Sequence, residues 1–209
     1  MIISHKHKFI FFATPKTGTH AVRFALRPLL GEKDEEQVGL YVNKSLPYPA
    51  LKNISHGHIS VLQAKAVLPA EVWDNYFKFA FVRNPFDRFV SFGFYMNRTN
   101  RSFKKNTTEK LKAILDQPAL TNKILFQPQH QLLCDEEGNI LMNFVGHYED
   151  FEADFAKICA QCQLSTPILE HFNATRHQHF SEYYDEELSK RVAEIYEQDF
   201  LIFGYGNGI

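Results

Sequence analysis

The chain has 209 residues, is 44% hydrophobic with 20 Phe, and carries a formal net charge of −1. That length suits one domain spanning residues 1–209 with a sizeable core, and the hydrophobic share excludes an intrinsically disordered chain. The near-zero charge argues against a broad nucleic-acid-binding surface, so any anion site must be local.

The first strong signal is the apolar run Phe9-Ile10-Phe11-Phe12, bounded by Thr14-Pro15, which reads as a buried strand. A turn follows at Gly18, flanked by Thr17 and Thr19. From Thr19 or His20 onward, Ala21, Val22, Phe24, Ala25 and Leu26 give the spacing of a helix that ends near Pro28 and Gly31. Residues 32–49 are polar, mixed in charge and aperiodic, and read as a surface excursion. Residues 51–60 read as a short strand meeting a turn at Gly57, and residues 59–67 as a short helix closed by Pro69.

Residues 75–83, rich in aromatics, form the second strong strand signal, and after Asn84-Pro85 an aromatic-rich helix runs over residues 86–96. Residues 97–106 make a basic polar loop, residues 109–115 a helix, and the Gln127-Pro128-Gln129-His130-Gln131 segment a polar bridge of no evident form. A strand over residues 139–145, a helix over 149–162 and a last amphipathic helix over 185–200 complete the chain. Strands alternating with helices predict a three-layer α/β domain with a central parallel sheet and a site at the carboxyl ends of its strands.

Three cysteines, Cys134, Cys159 and Cys162, offer no even disulfide framework, and the CxxC pair falls within the 149–162 helix with no second ligand pair. They read as reduced, structural thiols. With no signal peptide before Phe9 and no apolar run long enough to span a bilayer, the expected location is cytoplasmic, with no membrane span.

Three stretches carry chemistry. A strand, a hydroxyl-rich turn and a helix aim backbone N–H groups and the helix dipole at an anion, and Lys16 adds a positive charge at the same mouth. The triphosphate loop GxxxxGK[ST] is absent; here the lysine precedes the glycine. His56-Gly57-His58 offers imidazoles that are neutral near physiological pH and able to act as a base, with no convincing partners for a metal. Arg83 closes a strand and Ser91 lies about two helical turns beyond it; a guanidinium there can bind phosphate in a bidentate manner. Each stretch alone also has a plain structural reading: a strand-to-helix turn, satisfied histidines, and Arg83 or Arg88 paired with Asp87.

Taken together and in order, PKTGTH, HGH and VRNPFDRFVSF resemble the sulfotransferase superfamily, and the nearest branch is the carbohydrate-type group with the uronyl and heparan sulfate 2-O-sulfotransferases and bacterial relatives. The segments NFVGHYEDFEADF and EIYEQDFLIFGY extend the likeness over nearly the whole chain. The resemblance implies 3′-phosphoadenosine 5′-phosphosulfate as sulfuryl donor, no metal requirement, and a hydroxyl-bearing saccharide acceptor. It matches Lys16, Thr17, Gly18 and Thr19 to the 5′-phosphosulfate loop, Arg83 and Ser91 to the 3′-phosphate, and His58 to the base, with His56 as a supporting or alternative base. His20 stands where many relatives carry Ser or Thr, and Arg176 and His177 fall in a late loop that relatives place near the donor and acceptor. Two rivals remain open at this stage: a nucleotide or small-molecule kinase on a related strand–loop–helix plan, and a catalytically silent binding scaffold.

Overall fold

A computed structural model describes residues 1–37, 46–52, 54–167, 169, 178–206 and 208. In chain order its strands are β1 (Ile2–Ser4), β2 (Phe9–Phe12), β3 (Glu35–Glu36), β4 (Phe77–Val82) and β5 (Phe144–His147). The α-helices are α1 (Thr19–Leu26), α2 (Pro49–Lys52), α3 (Val61–Lys65), α4 (Ala70–Asn75), α5 (Pro85–Met96), α6 (Thr107–Leu115), α7 (Pro118–Thr121), α8 (His130–Leu133), α9 (Phe151–Gln161), α10 (Glu186–Ile195) and α11 (Glu197–Ile202). The chain divides into two compact units, residues 1–82 with 131–172, and residues 83–130 with 173–209.

The first unit holds a five-stranded sheet in the order β3-β1-β2-β4-β5. The expected parallel core is present, since β2 pairs with β4 and β4 with β5 in parallel. The sheet as a whole is mixed, because β1 runs antiparallel to both β2 and β3. Side chains alternate between faces with the period of two that strands impose. Phe9, Phe11, Phe79 and Phe81 share one core with Ala21 and Val22 of α1 and Phe151, Phe155 and Ile158 of α9. Phe11 stacks on Phe79 with ring centroids 5.2 Å apart. This packing fixes the direction in which β2 delivers the chain into the loop before α1.

Three expectations for this unit need correction. The 32–49 excursion contains β3, and Glu36 and Gln37 within it are buried. The reason is electrostatic: Arg23 of α1 and Arg27, just past its end, reach the Glu36 carboxylate at 2.8 and 2.9 Å, so burial leaves no uncompensated charge. Residues 38–45 of that stretch lie outside the described residues. The 51–60 strand is replaced by α2 and an irregular segment. Its carbonyls are met by other partners instead of a ladder. Gln37 Nε2 donates to the carbonyls of Ile54 and His56, and the Met1 nitrogen donates to that of Gly57. The expected helix over 59–67 is α3, started by a Ser60 and Gln63 capping box. The expected strand over 139–145 shifts to β5, while Ile140 forms only a bridge to Cys134.

The second unit is helical. Phe86, Phe89 and Phe92 of α5 pack with Leu111 and Ile114 of α6, Phe126, and Leu188, Val192, Tyr196 and Phe200 near the C-terminus. Arg88 is buried in this core, donating to the carbonyls of Leu125, Phe126 and Gln127 with its guanidinium over the Tyr196 ring. The single helix expected over 185–200 is broken at Tyr196 into α10 and α11. There the Tyr196 hydroxyl donates to the Phe126 carbonyl at 2.7 Å, and the turn lets Tyr196 and Asp199 both be buried.

Candidate active site

The loop between β2 and α1 is built around two left-handed backbone positions, Lys16 at φ 66° and Gly18 at φ 75°. Glycine takes that conformation without strain, whereas a lysine in it costs about 1–3 kcal/mol, the kind of strain that concentrates at functional sites. Gly18 also has a packing role. A Cβ there would lie 2.8 Å from Phe151 Cζ and 3.1 Å from Tyr148 Cε2, so only glycine lets the loop rest on these rings. Thr17 is fully buried and donates its hydroxyl to the Thr14 carbonyl at 2.9 Å, which closes the loop on itself. Its side chain therefore serves the loop's shape. Lys16, Thr19 and His20 are half-buried around the start of α1. Burial, followed by the charges of Arg23, Lys16 and Arg27, lowers the His20 pKa, which marks a positive field at this helix start.

The HGH segment lies in the same unit, and hydrogen bonding gives its two imidazoles different roles. His58 Nδ1 is 2.7 Å from the Ala13 carbonyl, one residue before the loop. A carbonyl can only accept, so Nδ1 carries the proton and Nε2 the lone pair. His56 Nδ1 accepts from the His58 backbone N–H at 3.3 Å, so its neutral ring carries the proton on Nε2. Burial, partly opposed by the Ala13 carbonyl, depresses the His58 pKa to about 3, and His56 is lowered by burial and the N-terminal charge. At neutral pH His58 is thus an uncharged ring whose Nε2 is unprotonated.

In the second unit, Arg83 directly follows β4 and is ion-paired with Asp87 at 2.7 Å, while Asn84 caps α5 through the Phe86 N–H. Asp87 grips the Nε edge of Arg83 at 2.9 Å, which fixes the plane of the guanidinium. The ion pair expected on the plain reading is therefore present for Arg83, whereas Arg88 turns away into the core. Ser91 is buried on α5. Arg176 and His177 lie outside the described residues. Gln129, His130 and Asp199 form a buried polar network beside Arg83 that the sequence reading missed. Only the unassigned Gln127–Gln131 segment had signalled it.

The thiols of Cys159 and Cys162 are buried, in no disulfide, and pushed up by burial to about 11 and about 12, which makes them poor nucleophiles. Among the described residues, no helix is long and apolar enough to cross a membrane, and no group of three or more His, Cys, Asp or Glu side chains could hold a metal ion.

A family model described as "Sulfotransferase family" matches residues 1–206. The chain belongs to the sulfotransferase family. It is therefore a transferase that uses 3′-phosphoadenosine 5′-phosphosulfate to move a sulfuryl group to a hydroxyl acceptor, which speaks against the kinase alternative. Comparison with curated proteins gave no match, and neither did comparison with solved structures. The residues present suit this donor. The strained Lys16, the glycine cradle over Phe151 and the positive field at the start of α1 together suit a polyanion.

Proposed function

We propose that this sulfotransferase acts on a carbohydrate hydroxyl, with His58 as general base, and falls in the carbohydrate-type branch with the uronyl and heparan sulfate 2-O-sulfotransferases. We include in this reading a single catalytic domain and a cytoplasmic location. The observation that carries it is the His58 Nδ1 contact with the Ala13 carbonyl, because it ties the base to the strand end that launches the donor loop and leaves Nε2 to receive a proton. The bound donor supplies an electrophilic sulfur and a phosphate leaving group. Lys16 and the backbone N–H groups at the start of α1, with Thr17, Gly18 and Thr19 shaping the loop, stabilise negative charge on the 5′ side. Arg83 and Ser91 hold the 3′-phosphate, which supplies remote binding energy for orientation. His58 Nε2 takes the acceptor proton as the oxygen attacks in line, a role typically worth about 10²–10⁴-fold. His56 supports the HGH turn through its bond from the His58 N–H.

The carbohydrate assignment is supported by Arg98, Arg101, Lys104 and Lys105, four exposed cations on a short segment anchored by the buried Phe103. Arg98 is stiffened by the Tyr95 ring beneath its guanidinium and by donation to the Tyr95 carbonyl. Such a segment suits an anionic saccharide. Calorimetric titration with 3′,5′-bisphosphoadenosine, ATP and ADP, with and without magnesium, tests the donor site, and labelled donor with a panel of neutral and anionic saccharides tests the acceptor. Tight, metal-independent binding of the bisphosphate and label transfer to an anionic saccharide are expected. Preference for magnesium-ATP would overturn the donor assignment, and transfer only to non-carbohydrate hydroxyls the acceptor assignment.

A further inference from the structure

We propose that Gln129, held by the buried Asp199 carboxylate, is a positioning residue that sets Arg83 for the donor's 3′-phosphate; the inference rests on the role given to Arg83 above. The parallel ladder of β4 ends with Val82 opposite His147, so the next residue has left the sheet. Arg83 is nonetheless buried, and its backbone N–H and C=O need partners. The Gln129 side chain supplies both. The Arg83 N–H donates to Oε1 at 2.9 Å, and Nε2 donates to the Arg83 carbonyl at 2.9 Å. A primary amide presents a donor and an acceptor side by side, and here it substitutes for a neighbouring strand across one residue.

Asp199 makes that geometry single-valued. Its Oδ2 accepts from the Gln129 backbone N–H at 2.8 Å and from Nε2 at 3.4 Å, and its Oδ1 accepts from the His130 backbone N–H and Nδ1, each at 2.8 Å. Gln129 and Asp199 are both 0% exposed, so the bonds between these two residues face no competition from water. The long Arg83 side chain is pinned at both ends, at its backbone by Gln129 and at its guanidinium by Asp87. A bidentate phosphate contact needs this, because the fork is directional and a small misplacement forfeits it.

The test is equilibrium binding of 3′,5′-bisphosphoadenosine and adenosine 5′-phosphate to the full chain; the ratio of their affinities reads the 3′-phosphate alone. Arg83→Ala should lower that ratio by about 10–100-fold, as expected for losing a charge-assisted phosphate contact. Gln129→Met, which keeps the side chain's length, should lower it by about tenfold with adenosine 5′-phosphate binding unchanged, and should cost nothing further in the Arg83→Ala background. Asp199→Asn should act in the same direction. Equal weakening of both nucleotides by Gln129→Met, or an unchanged ratio, would overturn the inference. An unchanged ratio in Arg83→Ala would instead overturn the donor assignment, and this proposal with it. If neither Gln129→Met nor Asp199→Asn melts cooperatively, the network is a folding element and the positioning role is refuted.

Discussion

Acid titration of His58 gives a quantitative test of its environment. Folding lowers its pKa from 6.5 to about 3, so the unfolded chain binds the proton over a range in which the native state does not. Stability contributed by the neutral ring is therefore fully present above the unfolded value and falls as pH drops through 6.5, ceasing to change near 3. At about 1.4 kcal/mol per pH unit, this one group removes about 2 kcal/mol by about pH 5. His58→Asn isolates the effect: the asparagine Nδ2 stands in for Nδ1 as donor to the Ala13 carbonyl but does not titrate. Urea unfolding of both proteins between about pH 7 and pH 5, a window in which most carboxylates stay ionised, should show the wild type losing about 2 kcal/mol more than the variant. Parallel stability curves would refute the buried, neutral His58. The same variant should lose about 10²–10⁴-fold in kcat while keeping donor affinity, and unchanged turnover would remove His58 as the base.

Two substitutions test the scaffold of the first unit. Gly18→Ala forces an L residue into φ 75° and a Cβ against Phe151 at 2.8 Å; a loss of about 2–4 kcal/mol in urea unfolding, with weaker bisphosphate binding, is expected from the strain and overpacking. A variant with native stability and affinity would show that the loop does not depend on this close approach. Glu36→Ala leaves the buried Arg23 without its carboxylate and should cost about 3–5 kcal/mol by the same measurement, since it uncovers a buried charge. A change under about 1 kcal/mol would mean that water reaches Arg23.

The stretches legible without the fold are those whose information is local. Phe9–Phe12 forms the expected strand, a short aromatic-rich apolar run bounded by Thr14-Pro15 and buried along its whole length. The turn at Gly18, the strand before Asn84-Pro85 and the helix after it follow from glycine, proline and apolar spacing over a few residues. The residue types on which the proposed anion loop, base and phosphate-binding arginine rest are local in the same way. Glu35–Glu36 could not be read as a strand, because the burial of Glu36 depends on Arg23 of α1 and Arg27 just past its end. Residues 54–57 carry no ladder because Gln37 and the Met1 nitrogen take their carbonyls, and the last helix breaks where Tyr196 finds the Phe126 carbonyl. The tautomers of His56 and His58 and the grip of Gln129 on Arg83 likewise belong to tertiary structure. Each is set by one hydrogen-bond partner 2 to 70 residues away whose identity no periodicity encodes: the His58 N–H for His56, the Ala13 carbonyl for His58, and Asp199 behind Gln129.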